Sequence, residues 1–300
     1  LHCSTRRQRQ MCIRDRNVKL IKPKIQDLTH YFKVSVPLIV GQSIAVMDEQ
    51  LFRIFGSMLS VGAIASFRYA RRIAILPVGV MAQAVGVASF PTMSNLFVRE
   101  KFEELKQLIR QQIAILYFVN LAIVLVLITN NAEIISLVYE RGEFNSSDVL
   151  RVSSIMSIVA FGILPWSLNQ IVTRSFYVQS NYWYPVLVGT SSTVLATLII
   201  LNTENKSEIS YATIIISSLF LYSLILLATL KIDGEKILNR NLISVLIISS
   251  VIFFVTLGII QFLPIDNFGK FLYLSISTTI IALSFIVSVR VIKMKYVKIN

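Results

Sequence analysis

The sequence predicts an all-α polytopic membrane protein, a chain of helices that crosses the bilayer several times. Of its 300 residues, 55% are hydrophobic and only 15% are charged, whereas a soluble globular protein averages about 25% charged residues. Apolar runs of about 20 residues recur along the chain, which is the length that a membrane-spanning helix needs. These runs are continuous and do not alternate apolar with polar residues, so they indicate helices.

Eight spans are predicted. The first contains Pro37 near its start, and Pro77 and Pro165 predict kinks within the second and the fourth. The connection between the third and fourth spans is the longest and includes a short apolar piece, whereas the last four spans follow one another through short polar connections. The eight spans lie at about 34–58, 62–95, 106–129, 152–179, 183–203, 209–230, 241–263 and 270–291.

The basic residues of the connections predict the orientation. Connections on one side of the membrane contain fifteen Lys and Arg residues and those on the other side contain four, and cytoplasmic loops are the ones enriched in Lys and Arg. An even number of spans places both ends of this chain in the cytoplasm. The predicted location is the bacterial inner membrane. The fifteen are Lys19, Lys22, Lys24, Lys33, Arg99, Lys101, Lys106, Arg110, Lys231, Lys236, Arg240, Arg290, Lys293, Lys295 and Lys298, and the four are Arg141, Arg151, Lys206 and Lys270.

Four regions are predicted along the chain. Residues 1–16 have no apolar periodicity and resemble adaptor-derived, non-native sequence, so we expect them to lie outside the fold. Residues 17–33 form a basic cytoplasmic linker, residues 34–230 a six-helix lobe, and residues 231–300 two additional spans with a basic tail. Both cysteines, Cys3 and Cys12, fall in the first region, so neither disulfides nor cysteine metal sites are expected in the body.

The sequence argues against several classes of function. The net charge of +13 lies mainly in the connections, as the positive-inside rule predicts, so no nucleic-acid partner is expected. No phosphate-binding G-x-x-x-x-G-K-[ST] motif is present, and the two histidines are His2 and His30. We therefore expect neither an enzyme nor a cofactor, but a transporter that is coupled to the membrane potential or to an ion gradient.

Three arginines, Arg68, Arg71 and Arg72, interrupt the second span. A charged side chain at the bilayer centre costs about 2.5–3.5 kcal/mol even on lenient scales. Arg72 lies roughly 16 Å along a helix that begins near Val61, close to the midplane of a hydrocarbon core about 30 Å thick. Their spacing predicts that all three project to one side and bind an anion. The alternative for Arg72 is a structural ion pair with Asp48.

Further candidates for the site come from the first and fourth spans. In the first, Gln42 and Asp48 extend a polar stripe, and Glu49 and Arg53 form an i,i+4 pair. The carboxylates are either counter-charges or proton carriers for the arginines, or, for Glu49 and Arg53, a self-paired couple that snorkels to the interface. In the fourth, Arg174 follows Asn169 and Gln170 and contacts either substrate or lipid headgroups. An aromatic group of Trp166, Tyr182, Trp183 and Tyr184 is typical of an interfacial belt.

Several motifs resemble the MurJ/MviN family of lipid II flippases, within the multidrug/oligosaccharidyl-lipid/polysaccharide exporter superfamily. They are QSIAVMD at 42–48, GAIASFRYARRIAILPVGV at 62–80, SFPTMS at 89–94, YERGEF at 139–144 and TRSFY at 173–177. The resemblance implies fourteen spans in two lobes plus two helices, of which this chain contains the second lobe and the two helices. It also implies that Arg72 lines a cavity and handles the pyrophosphate of the lipid. The acidic residue often found before that arginine is here Arg71.

The resemblance implies a lipid II flippase that carries an undecaprenyl-diphosphate-linked headgroup to the outer leaflet by alternating access. Its partners would be the anionic lipid-linked substrate, the bilayer and the missing first lobe of the same protein. The alternatives are a flippase for another lipid-linked oligosaccharide or polysaccharide, and a drug or cation antiporter. An antiporter would need a net-acidic cavity, against which the arginine cluster argues.

Overall fold

The computed structural model describes residues 47–204, 206–262 and 275–285, with residues 29, 31–33, 35–36 and 39–40. In the longest of these ranges, side chains are described from Glu49 onward. The chain divides into two compact units, residues 1–39 and residues 40–300. In the first unit, the described residues are helical and the rings of Tyr31 and Phe32 meet edge to face. Arg68, Arg71 and Arg72 lie in the second unit.

The described residues of the second unit form helices and one small antiparallel hairpin. The hairpin pairs β1 (Lys231–Ile232) with β2 (Glu235–Lys236). The helices are α1 (Met47–Gly56), α2 (Ala63–Pro77), α3 (Ala84–Val98), α4 (Phe102–Thr129), α5 (Asn131–Tyr139), α6 (Ser146–Val159), α7 (Ile163–Val178), α8 (Trp183–Asn202), α9 (Glu208–Thr229), α10 (Arg240–Phe262) and α11 (Ser275–Phe285).

Six helical segments of the described residues are long and apolar enough to cross a membrane. They match the second to seventh predicted spans, and the all-α polytopic fold is confirmed. The first predicted span contains α1, which ends at Gly56 before a turn, and the described part of the eighth is α11. Other residues of both spans lie outside the described residues. The six segments are Ala63–Val98, Phe102–Thr129, Ser146–Val178, Trp183–Asn202, Glu208–Thr229 and Arg240–Phe262.

The second span changes helix type at its proline. Helix α2 ends at Pro77, a π-helix follows over Val78–Gln83, and α3 continues to Val98. Proline has no backbone N–H and its ring clashes with the preceding turn, so the α-helical hydrogen bonds are interrupted there. A π-turn accommodates the interruption without ending the helix, and such turns are frequent at functional sites. The predicted kink at Pro77 is therefore a short π-helix within a continuous span.

The fourth span begins at a complete cap and is interrupted before its proline. Asn145 accepts hydrogen bonds from the backbone N–H groups of Ser147 and Asp148, and the Asp148 carboxylate accepts one from the Asn145 backbone. This capping box satisfies N–H groups that the first turn leaves unpaired. One 3₁₀ turn at Ala160–Gly162 separates α6 from α7. The interruption thus precedes Pro165 by one turn.

The fourth span forms the packing axis of the unit. In its most apolar window, 67% of the residues are buried, compared with 22% in the second span. Helix α7 packs against α3, α4 and α9, and α6 packs against α2, α5 and α9. Buried side chains such as Ile155, Met156 and Ile163 fill the spaces between these helices. The second span lies on the side of this core, with much of its surface uncovered.

Polar contacts tie the connections together at two separate ends. At one end, Lys106 Nζ lies 2.5 Å from a Glu103 carboxylate oxygen and also contacts Glu235, and Arg110 donates to the carbonyl oxygens of Lys236 and Ile237. The α3–α4 connection therefore meets the β1–β2 hairpin at this end, as the predicted alternation of the spans requires.

At the other end, Arg151 holds the start of α6 against two other segments. Its guanidinium donates to the carboxylate of Glu208 at the start of α9, to the Val61 carbonyl oxygen at 2.7 Å and to the Ser60 hydroxyl at 2.7 Å. The α1–α2 turn and the starts of α6 and α9 are thereby joined, and they all lie on the side predicted to be less basic.

Candidate functional site

Several of the residues predicted for the site lie where α1 and α2 pack against each other. The rings of Phe52 and Phe67 stack with their centroids 3.9 Å apart and their planes within 6°, and both side chains are fully buried. Glu49 lies one turn before Phe52 on α1, and Arg71 lies one turn after Phe67 on α2. Because the two helices are antiparallel neighbours, the aromatic stack brings this carboxylate and this guanidinium together.

Glu49 is the centre of the cluster. Its carboxylate lies 3.2 Å from Arg71 Nη1, which donates a hydrogen bond to it, and 3.9 Å from both Arg53 and Arg68. The predicted Glu49–Arg53 pair therefore forms, and it is one of three contacts instead of a self-contained couple. Among the side chains that the structure describes here, three guanidinium groups share one carboxylate.

The three arginines of α2 differ in exposure, although Arg68 and Arg71 contact the same carboxylate, that of Glu49. The Arg71 side chain is 12% exposed, whereas that of Arg68 is 58% exposed and Arg72 is also exposed. Consecutive residues of an α-helix point about 100° apart, so Arg71 turns inward while Arg72 does not. The Arg71 guanidinium carbon lies 5.3 Å from the centre of the Trp166 ring of α7, within cation–π distance.

Trp166 is therefore a buried neighbour of Arg71 and not part of an exposed interfacial belt. It is 8% exposed, whereas Trp183 at the start of α8 is 49% exposed. Hydropathy alone could not separate these two tryptophans, because it does not show which face of a helix is covered. The sequence signal that could have suggested this contact is the presence of an arginine and a tryptophan at similar depth in neighbouring spans.

Arg72 faces an aromatic group formed by two segments that carry motifs. Tyr69 of α2 lies 4.8 Å from Tyr139 and 5.5 Å from Phe144 between ring centroids. Burial raises the pKa of the Tyr139 hydroxyl, and the nearby positive charge of Arg72 acts in the opposite direction. Among the described residues, the Arg72 side chain makes no hydrogen bond or ion pair.

Arg174 occupies a separate position on the same lobe. Its Nη1 donates to the Gln170 carbonyl oxygen at 2.5 Å and to the Gln170 side-chain oxygen at 2.7 Å. The guanidinium lies against Gly86 of α3, where a Cβ atom would be only 2.5 Å from it. A side chain at position 86 would therefore require the flexible end of Arg174 to shift. The neighbouring Asn169 side chain instead accepts a hydrogen bond from the Ser223 hydroxyl at 2.8 Å.

Two predicted site residues cannot be placed. Gln42 lies outside the described residues, and the Asp48 side chain does as well, although its backbone belongs to α1. The predicted Arg72–Asp48 contact therefore remains a prediction. Across the described ranges, no group of three or more His, Cys, Asp or Glu side chains is arranged to hold a metal ion.

The SFPTMS motif lies at a distance from the arginines, at the end of α3. Pro91, Thr92 and Asn95 line a cavity of about 340 Å³ with Arg99 and Lys101. Lys101 is paired with Glu104 at 2.6 Å. This cavity lies at the end of the lobe where the α3–α4 connection meets the hairpin.

A protein-family model described as "Lipid II flippase MurJ" matches residues 10–282 of the chain. Proteins named "Probable lipid II flippase MurJ" are similar in sequence. The one from Helicobacter pylori (strain ATCC 700392 / 26695) is 28% identical over 158 residues, which are 51% of this chain and 33% of that protein. The one from Treponema pallidum (strain Nichols) is 25% identical over 175 residues, 57% of this chain and 33% of that protein.

A solved structure titled "Lipid II flippase MurJ, inward closed conformation" has a similar fold. The TM-score is 0.74 at 19% sequence identity, and the match covers 97% of this chain and 60% of that chain. The matched region thus spans about a third of the curated relatives and three fifths of the solved chain. At this identity the structural match concerns the fold alone, and it extends over nearly all of this chain.

Proposed function

Because this chain belongs to the lipid II flippase MurJ family, we propose that the protein to which it contributes moves a lipid-linked peptidoglycan precursor across the bacterial inner membrane. The headgroup, attached through a diphosphate to a polyprenyl chain, would pass from the cytoplasmic to the outer leaflet by alternating access. A flippase transports its substrate without breaking a covalent bond, so no catalytic residue is assigned. The chain spans about a third of the curated relatives it matches, and we propose a first lobe of the same protein as its partner.

The observation that carries this proposal is the exposed cationic face of α2. Arg72 lies about 14 Å along the span from Ala63, near the midplane of a hydrocarbon core about 30 Å thick. An unpaired charge at that depth is costly unless it faces a cavity. Arg72 and Arg68 are exposed, and the described carboxylate of the cluster contacts Arg53, Arg68 and Arg71. A first lobe on this side would turn the face into a cavity wall.

The chemistry of the cluster supports an anionic substrate. A guanidinium donates two parallel hydrogen bonds to phosphate oxygens, which gives both affinity and orientation. In our proposal Arg72 and Arg68 bind the diphosphate, Arg71, Glu49 and Arg53 set the charge around them, and Arg174 contacts the substrate later along the path. Gln42 and Asp48 stay candidates for the same wall. Transport would be coupled to the membrane potential or to an ion gradient.

The proposed orientation places the α3–α4 connection and the β1–β2 hairpin in the cytoplasm, together with both ends of this chain. The basic residues of these segments support it, since Lys106 and Arg110 meet the hairpin there. Cysteines introduced at Ser94 and Gly234 in the complete protein should resist impermeant thiol reagents added to intact cells, whereas one at Glu204 should react. Labelling of Ser94→Cys or Gly234→Cys from outside would reject the orientation.

The proposed function is tested by reconstituting the complete protein in liposomes. Three kinds of fluorescent probe are compared: a polyprenyl diphosphate with the lipid II headgroup, polyprenyl diphosphates with other glycan headgroups, and a cationic dye. The movement of each across the bilayer is measured with and without a membrane potential. We expect movement of the lipid II analogue and none of the dye. Movement of other lipid-linked glycans alone would identify a different flippase, and movement of the dye alone would identify an antiporter. A requirement for ATP would reject the proposed energy source.

A further inference from the structure

We propose that the Glu49 carboxylate is an internal counter-anion, which occupies the arginine cluster in the absence of substrate and which a substrate diphosphate must displace. This inference rests on the proposed function, because it concerns the site at which that function would take place. In this inference the Glu49 carboxylate competes with the substrate diphosphate for the same arginines.

The geometry of Glu49 is that of a bound ligand. Its two oxygens face guanidinium groups from two different helices, Arg53 on α1 and Arg68 and Arg71 on α2, at 3.2–3.9 Å. Carboxylates and phosphates bind to arginine through the same planar donors. Two of the contacts, those to Arg53 and Arg68, are long for hydrogen bonds, and these two arginines are more than half exposed. Such contacts can be exchanged for those of an entering anion.

Arg71 holds Glu49 in this position. It is the most buried member of the cluster, it makes the shortest contact with the carboxylate, and Trp166 lies under its guanidinium. A residue fixed on both sides in this way is suited to keep the counter-anion in place and not to follow a substrate. The cluster is thereby divided into an inner pair, Glu49 and Arg71, and an outer pair, Arg68 and Arg72, which the ligand meets first.

A tethered competitor gives the site a threshold for anions. A group attached through a short linker has an effective concentration in the millimolar range, so a singly charged anion must exceed roughly that concentration to replace Glu49. A diphosphate carries more charge and more acceptor oxygens within one molecule, and it can bind Arg68 and Arg72 before it displaces the carboxylate. Glu49 would therefore exclude free carboxylates and simple phosphate esters while admitting a diphosphate.

The test is the binding of inorganic pyrophosphate to the complete protein, measured by titration calorimetry in detergent. Glu49→Gln keeps the shape of the side chain and removes its charge, and we expect it to raise the affinity for pyrophosphate about fivefold or more, since the competing charge-assisted contacts are lost. Sodium acetate, which mimics the missing carboxylate, should lower the affinity of this variant towards that of the wild type and affect the wild type little.

Two further variants make the outcome unambiguous. Glu204→Gln removes an exposed carboxylate in the α8–α9 connection and should leave pyrophosphate binding unchanged. Glu49→Asp keeps the charge on a shorter side chain, so it should raise the affinity by a smaller factor, and it replaces Glu49→Gln if that variant does not fold. Unchanged or weaker binding in the Glu49 variants would overturn the inference. If the Glu49 variants bind pyrophosphate as expected but the complete protein does not transport the lipid, the proposed function is rejected and the inference about Glu49 stands.

Discussion

The second and fourth spans are both long helices with an interruption near a proline, yet they differ in almost every other respect. The fourth is enclosed by its neighbours, with 67% of its most apolar window buried, and it begins at a complete capping box. The second is 22% buried by the same measure and carries the three arginines. The comparison indicates that one span supports the lobe and the other presents the chemistry, so variants in the two should have different consequences.

The largest expected effect is that of Arg72→Ala on the exposed span. In the complete protein, it should reduce transport about 100-fold or more, because a bidentate charge-assisted contact to phosphate is lost. The protein should still accumulate normally, since Arg72 makes no ion pair or hydrogen bond with the described residues. Arg72→Lys should also be impaired, because lysine lacks the planar fork.

Complementation of a conditional strain, together with immunoblots of membrane fractions, measures both quantities. Arg141→Ala, at an exposed position just after Tyr139, serves as the matched control and should remain active. A fully active Arg72→Ala protein would contradict substrate binding by Arg72 and leave the structural ion pair with Asp48 as its remaining role.

Two glycines test the buried span against the exposed one by the same substitution. A Cβ at Gly162, between α6 and α7, would lie 2.9 Å from both Trp166 and Ile216, whereas a Cβ at Gly79 in the π-helix would meet nothing within 4 Å. Gly162→Ala should therefore destabilise the protein by about 1–3 kcal/mol through overpacking, and Gly79→Ala should change its stability by less than about 1 kcal/mol. Thermal unfolding in detergent measures both. Equal effects would show that the two spans are packed alike.

The contact between Arg71 and Trp166 joins the two spans at one point, and its strength can be measured directly. A double-mutant cycle with Arg71→Met and Trp166→Leu should give a coupling free energy of about 0.5–2 kcal/mol, the range of partly buried cation–π pairs. The cycle of Arg53→Met with Trp166→Leu is the control, because Arg53 lies on α1 and is 52% exposed, and it should show no coupling. Similar values in both cycles would mean that the ring does not contact one arginine in particular.

The smallest expected effect concerns the ion pair at the far end of the lobe. The hydrogen bond from Lys106 lowers the pKa of the Glu235 carboxyl below its ordinary value. A carboxyl group whose pKa is depressed by folding adds stability above its ordinary pKa, and this contribution disappears as the pH falls through the folded-state value. Glu235→Gln should thus lower the melting temperature slightly near neutral pH, and this difference should shrink as the pH falls below the ordinary carboxyl pKa. A difference that persists in acid would contradict this assignment.

Much of the fold could be predicted from hydropathy, because a membrane-spanning helix must satisfy its backbone within a single apolar segment. The second to seventh predicted spans agree with the structure for this reason. The predicted ends differ most from the observed ones where a polar first turn, such as that of α6, extends the helix beyond the apolar run. The type of interruption at Pro77 could not be predicted, since a kink, a π-turn and a 3₁₀ turn all accommodate proline.

The site was predictable in its residue types and less so in its geometry. The spacing of Glu49 and Arg53 correctly predicted a pair, because both lie on one helix. The spacing of Arg68, Arg71 and Arg72 did not reveal that Arg71 turns inward, because that depends on Trp166 from a span almost a hundred residues later. The contacts of Tyr139 with Tyr69 and of Gly86 with Arg174 were missed for the same reason: they join segments whose mutual rotation is set by packing.

The π-helix at Val78–Gln83 has a consequence for how the second span is compared with other helices. A π-turn contains one residue more than the surrounding α-helix would use, so everything after it is rotated by about 100° relative to an uninterrupted helix. The span therefore carries two faces with different phases: before the turn, Arg68 and Arg72 are exposed, and after it, Gly86 meets Arg174. Removing a single residue between positions 78 and 83 would therefore rotate α3 against α2 and separate Gly86 from Arg174.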